Sequence, residues 1–221
     1  HQTNTTTLPD TLITSDTILS KEIPAHLGSI LFQLLPPDIR TGSEVYPYVT
    51  SYNNTEDVTP AVLTGTRAER YIAYRSLIRQ AFAHRGSVLF IVPNSALIDR
   101  VKHELETGIE KRLVTFSSTH TKKQTEASYE AFTDFSTAKL IIATPSYAFL
   151  DRHDITHIIV DESASPFYKN RTRPYIDTRH ALAIYAQHTK RTLLFGDIVP
   201  RTEEELLRRD DVYTTLDEHP A

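Results

Sequence analysis

The chain has 221 residues, a formal net charge of −4, 39% hydrophobic residues and no cysteine. That length suits one α/β domain of about 150–200 residues plus tails. The missing cysteines exclude disulfides, thiolate catalysis and cysteine-ligated zinc, and the charge excludes a global basic field, so any nucleic-acid contact must come from a local patch.

Residues 1–20 are rich in Thr, Ser, Asn and Asp and read as a polar tail. Residues 21–58 read as a short apolar element and linker. Within them Leu27 to Leu35 suits one packed helix or strand, stopped by Pro36-Pro37. From residue 59 to 221 β-branched apolar runs alternate with amphipathic stretches. The pattern predicts strands over 61–64, 87–92, 112–116, 139–143, 157–161 and 192–195, and helices over 67–84, 95–107, 122–134, 177–189 and 202–209. Val88 to Val92, Leu140 to Ala143 and Ile158 to Val160 are continuously apolar, as strands buried on both faces are. The fold class is therefore α/β, a doubly wound and mainly parallel sheet with helices on both faces.

Ligands of such sheets bind at the carboxyl ends of the strands. Those ends here carry Thr64-Gly65-Thr66, Pro93-Asn94-Ser95, Ser117-Ser118, Thr144-Pro145-Ser146, Asp161-Glu162 and Gly196-Asp197, all small, polar or acidic apart from two prolines. Asp161-Glu162 after three β-branched residues is the arrangement nucleotide hydrolases use to hold Mg²⁺ and orient a water; capping of the following loop is the plainer alternative. A phosphate loop after the first strand needs a Gly-rich backbone, a Lys and a Ser/Thr on Mg²⁺. The segment there is Leu63-Thr64-Gly65-Thr66-Arg67-Ala68-Glu69-Arg70. Gly65, Thr66 and Arg67 stand where such a cradle would be, in a degenerate form, and Glu69 is repulsive; a plain βα turn is the favoured reading, with Arg67 or Arg70 as a substitute phosphate donor the alternative. His153, Asp154 and His157 form a weaker metal candidate, as His and Asp so close on a loop are usually solvated.

An ordered set of motifs resembles the first motor lobe of the primosomal replication-restart helicases. Asp161-Glu162-Ser163-Ala164 is similar to that family's Asp-Glu-Glu-His box, and Tyr168-Lys169 and Arg173 through Ala181 resemble the segments that follow it. Leu89 to Leu97, Ala143 to Phe149 and Leu194 to Pro200 resemble its Val-Pro-Glu-Ile-Ala-Leu, Gly-Thr-Arg-Ser-Ala-Leu-Phe and Leu-Gly-Ser-Ala-Thr-Pro. Pro24 to Pro37 is similar to the end of its 3′-end DNA-binding domain, so residues 21–58 are expected to hold a remnant of that domain.

The resemblance implies a RecA-like, P-loop NTPase-type lobe that contacts single-stranded or forked DNA, with replication-restart proteins as further partners. ATP and Mg²⁺ are implied only by the family. The Lys and Thr of the phosphate loop are missing, the box His is Ala164, and the Ser-Ala-Thr that couples hydrolysis to movement is Asp197-Ile198-Val199. Asp161 and Glu162 are therefore expected to be a vestigial hydrolysis box, and no cofactor is expected in this chain. DNA contact is expected from Asn94, Ser95, Thr144 and Ser146, and from the loop that interleaves Phe167, Tyr168, Lys169, Arg171, Arg173, Tyr175 and, beyond it, Arg179. Two other readings stay open: a non-catalytic protein-interaction module, and a DNA helicase with an unusual phosphate loop. No apolar run approaches about 18 residues and no signal peptide opens the chain, so a cytoplasmic protein without a membrane partner is expected. With no Met in the sequence, the chain is expected to be a fragment of something longer.

Overall fold

Strands β1 (Ala61–Thr64), β2 (Ser87–Ile91), β3 (Leu113–Phe116), β4 (Leu140–Ala143), β5 (Ile155–Asp161), β6 (Thr192–Asp197) and β7 (Thr214–Thr215) form one sheet in the order β3-β4-β2-β5-β6-β1-β7. Every pairing between them is parallel. The structure is a computed structural model that describes residues 8–42 and 58–216. The described helices are α1 (Asp10–Glu22), α2 (Leu27–Leu34), α3 (Pro37–Arg40), α4 (Arg67–Ala83), α5 (Ile98–Leu105), α6 (Lys122–Thr133), α7 (Thr178–Thr189) and α8 (Thr202–Arg209).

The central strands are apolar throughout because both faces are covered. Val88 and Phe90 of β2 join Tyr71, Tyr74 and Ile78 of α4 and Ile98 and Val101 of α5 in one core. Leu89 and Ile91, alternating with them, join Phe132 of α6 and Leu182 and Tyr185 of α7 in the other. The expected doubly wound α/β sheet is the one observed.

The amino-terminal segment differs from the expectation. The polar tail expected over 1–20 is helical from Asp10, and α1 packs on α7 through buried Leu12 and Leu19. Its hydroxyls are consumed locally: Thr14, Ser15 and Thr17 donate to the carbonyls four residues earlier and Ser20 to that of Thr17. That back-bonding lets a Thr/Ser-rich stretch stay helical with these hydroxyls satisfied. Leu27 to Leu34 is the helix of the two alternatives, with Ile30 and Leu34 inward. Leu12, Leu19, Ile30, Leu34 and Ile39 belong to the same core as β2 and α7, so this segment is part of the domain body. The short β7 had no sequence signal. The helix expected over 95–107 divides into a 3₁₀ turn at Ser95–Leu97 and α5. Part of the linker expected before residue 59 lies outside the described residues.

Candidate functional site

The carboxyl rim of the sheet holds two groups of predicted residues, one at the β1–α4 turn and one at the ends of β2 and β4. At the first, Gly65 turns with φ +156° and Thr66 caps α4. The Thr66 amide and hydroxyl donate to Glu69 Oε2 at 2.7 and 2.6 Å, and the Glu69 amide returns a bond to the hydroxyl at 3.4 Å. This is a capping box. A helix start of this kind is where an anion would sit, and here the Glu69 carboxylate lies at it. The bonds from Thr66 hold that carboxyl below its usual pKa.

Asp161 ends β5 and is buried. Its Oδ1 accepts from Arg70 Nε at 3.0 Å and from the Tyr74 hydroxyl at 2.8 Å, and its Oδ2 accepts from the Tyr71 hydroxyl at 3.1 Å. Arg70 also donates to the Gly65 carbonyl at 2.9 Å. Burial opposes the Arg70 charge, but Asp161 and Tyr74 outweigh it, so the guanidinium pKa is raised. Burial and the Asp161 charge raise both tyrosines. Gly196 on β6 makes room for this arrangement, since a Cβ there would lie 1.7 Å from the Tyr74 hydroxyl. Arg67 is engaged too: it bonds Glu104 at 3.0 Å, lies 3.7 Å from Glu162 and stacks over the Tyr71 ring at 4.6 Å. Glu162 adopts the left-handed backbone at φ +51°, and burial followed by its neighbour Asp161 pushes its pKa up. Arg67 and Arg70 are thus both engaged with the protein's own groups, and each carboxylate oxygen of Asp161 already accepts at least one hydrogen bond.

The second group converges on one cavity of about 390 Å³. Asn94, Ser95, Thr144, Ser146 and Phe167, all predicted as DNA contacts, line it together with Ser118, Gln33 and Arg40. Asn94 Oδ1 caps the 3₁₀ turn by accepting from the Ala96 amide at 3.0 Å. The Thr144 hydroxyl is buried and has no partner.

The aromatic and basic loop next to this cavity divides into exposed and buried members. Phe167 and Tyr175 are 53% and 52% exposed, and Lys169, Arg171 and Arg173 are exposed as well. The Arg171 guanidinium lies 5.8 Å from the Phe167 ring centre. Two expectations are corrected. Tyr168 is 0% exposed and its hydroxyl donates to the carbonyls of Ile91 and Asp161 at 3.0 and 2.6 Å, so no base can stack on it. Arg179 is buried, paired with Asp177 at 2.7 Å and bonded to the carbonyls of Ser163 and Ser165, so it props the loop instead of meeting a phosphate. Burial opposes the Asp177 charge, but Arg179 and Arg201 hold its pKa below the usual value.

His153 and His157 do not come together as metal ligands. Asp154 is taken by Arg152 at 2.6 Å and Ser87 at 2.8 Å, and among the described residues no cluster of three candidate ligands occurs. Sequence reasoning missed Tyr71, Tyr74, Arg40 and Gln33. The first two carried a signal, since with Arg70 they form an i, i+1, i+4 set behind the phosphate-loop position; Arg40 and Gln33 lie far from the cavity in sequence and carried none.

No family model and no curated protein matches the chain. Among solved structures it is similar to the S. cerevisiae Dbp5 C-terminal domain bound to Gle1 and IP6, with a TM-score of 0.52 at 7% identity over 74% of this chain and 92% of that one. The bacteriophage T4 UvsW helicase gives 0.48 at 12% identity over 95% and 79%, and the Pyrococcus furiosus Hef helicase domain gives 0.48 at 13% over 72% and 35%. The fold is that of the RecA-like helicase domains, and the likeness singles out no family among them.

Proposed function

We propose that the chain is a helicase-like lobe that holds a nucleic-acid strand along its carboxyl rim without turning over ATP. The observation that carries this reading is the convergence of Asn94, Ser95, Thr144, Ser146 and Phe167 on one cavity beside the exposed Lys169, Arg171, Arg173 and Tyr175. Small hydroxyls and an amide suit backbone phosphates, cations supply the salt-dependent attraction, and exposed rings give bases a stacking surface. Phosphoryl transfer needs charge stabilisation at the transferring group. The enclosure of Asp161 by Arg70, Tyr71 and Tyr74, and the Glu69 carboxylate at the start of α4, favour a lobe that does not supply it. A role in replication restart, with single-stranded or forked DNA and restart proteins as partners, rests on the ordered sequence motifs alone.

Fluorescence anisotropy with a labelled single-stranded oligonucleotide at two salt concentrations tests the reading. Phe167→Ala is expected to weaken binding by about 1–3 kcal/mol, the value of one base stacked on a ring. Tyr168→Ala is expected to act on stability first, because that ring is core. Mg-ATP is expected to leave the melting temperature unchanged. Absence of salt-dependent binding by the unaltered chain would sink the strand-holding half, and stabilisation by Mg-ATP the other.

A second reading, a protein-interaction module, is favoured by Ile198 and Val199, which are 66% and 67% exposed and line a cavity of about 620 Å³ with Leu206 and Pro200. The similar Dbp5 domain is described bound to a protein, Gle1. Retained affinity for a protein partner in a chain that binds no oligonucleotide would select this alternative.

A further inference from the structure

The rim cavity has a wall that the sheet does not supply. α2 and α3 precede the first strand, yet Gln33, Leu34 and Arg40 line the cavity together with Thr144 and Ser146. Side-chain bonds fasten this wall to the rim. Gln33 Nε2 donates to the Arg173 carbonyl and Gln33 Oε1 accepts from Asn170 Nδ2, each at 2.5 Å. The Tyr147 hydroxyl, from the turn after β4, donates to Asp38 of α3 at 2.6 Å.

Arg40 stands out on this wall. Its Nε donates to the Leu35 carbonyl at 2.6 Å and its Nη2 to the Gln33 carbonyl at 3.3 Å, while its guanidinium carbon lies 5.1 Å from the Phe32 ring centre. Those two bonds fix the head, and three of its five N–H groups have no partner among the described residues. The described lining holds no Asp or Glu and no other Lys or Arg. This half-buried guanidinium has carbonyl partners but no carboxylate in the cavity lining, and burial lowers its pKa. In the same cavity the Thr144 hydroxyl is buried and unbonded, and Ser95, Ser118 and Ser146 add further hydroxyls. A cation with free N–H groups plus unspent hydroxyls is a donor set, and it calls for a ligand made of acceptors. A phosphodiester is such a ligand, and a planar guanidinium matches its paired oxygens.

We infer that Arg40 and Thr144 bind one backbone phosphate of a single-stranded nucleic acid in the rim cavity, with the half-exposed Phe32 ring beside the guanidinium. The amino-terminal helical arm is then part of the interface, and the strand bridges arm and sheet. This rests on the strand-holding reading above and assigns its phosphate site.

The test is a salt titration of the full chain with 5′-fluorescein-labelled oligo-dT, twelve nucleotides long, read by anisotropy. Arg40→Gln is expected to weaken binding several-fold and to lower the slope of log affinity against log salt by about 0.7, the value of one phosphate contact on a single strand. Arg40→Lys keeps the slope. Thr144→Val weakens binding and leaves the slope alone. Arg85→Gln, at a different cavity, changes neither. If Arg40→Gln keeps wild-type affinity and slope while Phe167→Ala still weakens binding, the phosphate assignment falls and the strand-holding reading stands. If Arg40→Gln and Arg40→Lys lose affinity alike with the slope intact, Arg40 only props the arm and the assignment falls too. If the unaltered chain binds no oligonucleotide, both fall together.

Discussion

Two corners of one carboxyl rim have opposite fates. At the β1–α4 corner the acidic groups meet the protein's own donors: Asp161 accepts from Arg70, Tyr71 and Tyr74, and Glu69 bonds Thr66. At the β2 and β4 corner the chain leaves its strands through short 3₁₀ turns, Ser95–Leu97 and Pro145–Tyr147; Asn94 and Tyr147 are bonded within the protein, but the Thr144 hydroxyl is buried without a partner. The fold alone dictates neither outcome, since both corners lie at the position where such sheets bind ligands. What separates them is the next helix. α4 begins directly after its cap and projects Arg70, Tyr71 and Tyr74 over the strand ends within little more than one turn. Among the described residues no long helix covers the second corner in that way.

The largest expected effect breaks the closed corner. Arg70→Ala leaves a buried carboxylate with only two tyrosine donors, and removing one partner of a buried ion pair costs about 3–5 kcal/mol. Urea denaturation should show the midpoint falling with little change in slope. Asp161→Asn combined with Arg70→Met should cost less, because no charge stays behind. Should Arg70→Ala be nearly neutral and also let Mg-ATP raise the melting temperature, the corner would be a gated nucleotide site and the contrast between the corners would dissolve.

Much of this was legible in the sequence. The continuous apolar runs at β2, β4 and β5 imply the parallel sheet, and the rule about carboxyl ends gathers the residues of both corners from sequence alone. Three things were not legible. A period-based reading places rings by composition, so it treated Tyr168 like Phe167, although only the first finds carbonyls of Ile91 and Asp161 to bond inward. The enclosure of Asp161 depends on contacts some ninety residues apart in sequence, such as Tyr71 to Asp161. α1 was hidden because its hydroxyls bond its own backbone, which makes a packed helix look like a solvated tail.

That hidden helix supplies the intermediate prediction, because α1 packs against α2, the helix behind the wall of the open cavity. Asp16 is buried in it with neither carboxylate oxygen bonded, and burial pushes its pKa from 3.8 to about 6. The folded state therefore takes up this proton more readily than the unfolded one. The carboxylate costs nothing below about pH 4, its cost grows as the pH rises towards 6, and it applies in full above that. Asp16→Asn should accordingly stabilise the chain by about 1–3 kcal/mol at pH 8 and by almost nothing at pH 4. Thermal melts at the two pH values check this. A gain that is equal at both would show that the side chain, and not its charge, matters, and would leave the arm's anchorage independent of pH.

The smallest effect probes whether the closed corner is closed by its cap or by its ion pair. Thr66→Ala removes the hydroxyl that bonds Glu69 and receives the Glu69 amide, but keeps the bond from the Thr66 amide. Loss of such a cap costs about 1 kcal/mol. Hydrogen exchange should place the loss in the first turn of α4, leaving the strands protected as before. The Arg70–Asp161 pair lies one turn further in and is untouched, so Mg-ATP should still have no effect on the variant's melting temperature. If removing this one hydroxyl were enough to let Mg-ATP stabilise the chain, the enclosure of Asp161 would yield to ligand, and the difference between the two corners would lie in a single cap and not in the three side chains that α4 lays over the sheet.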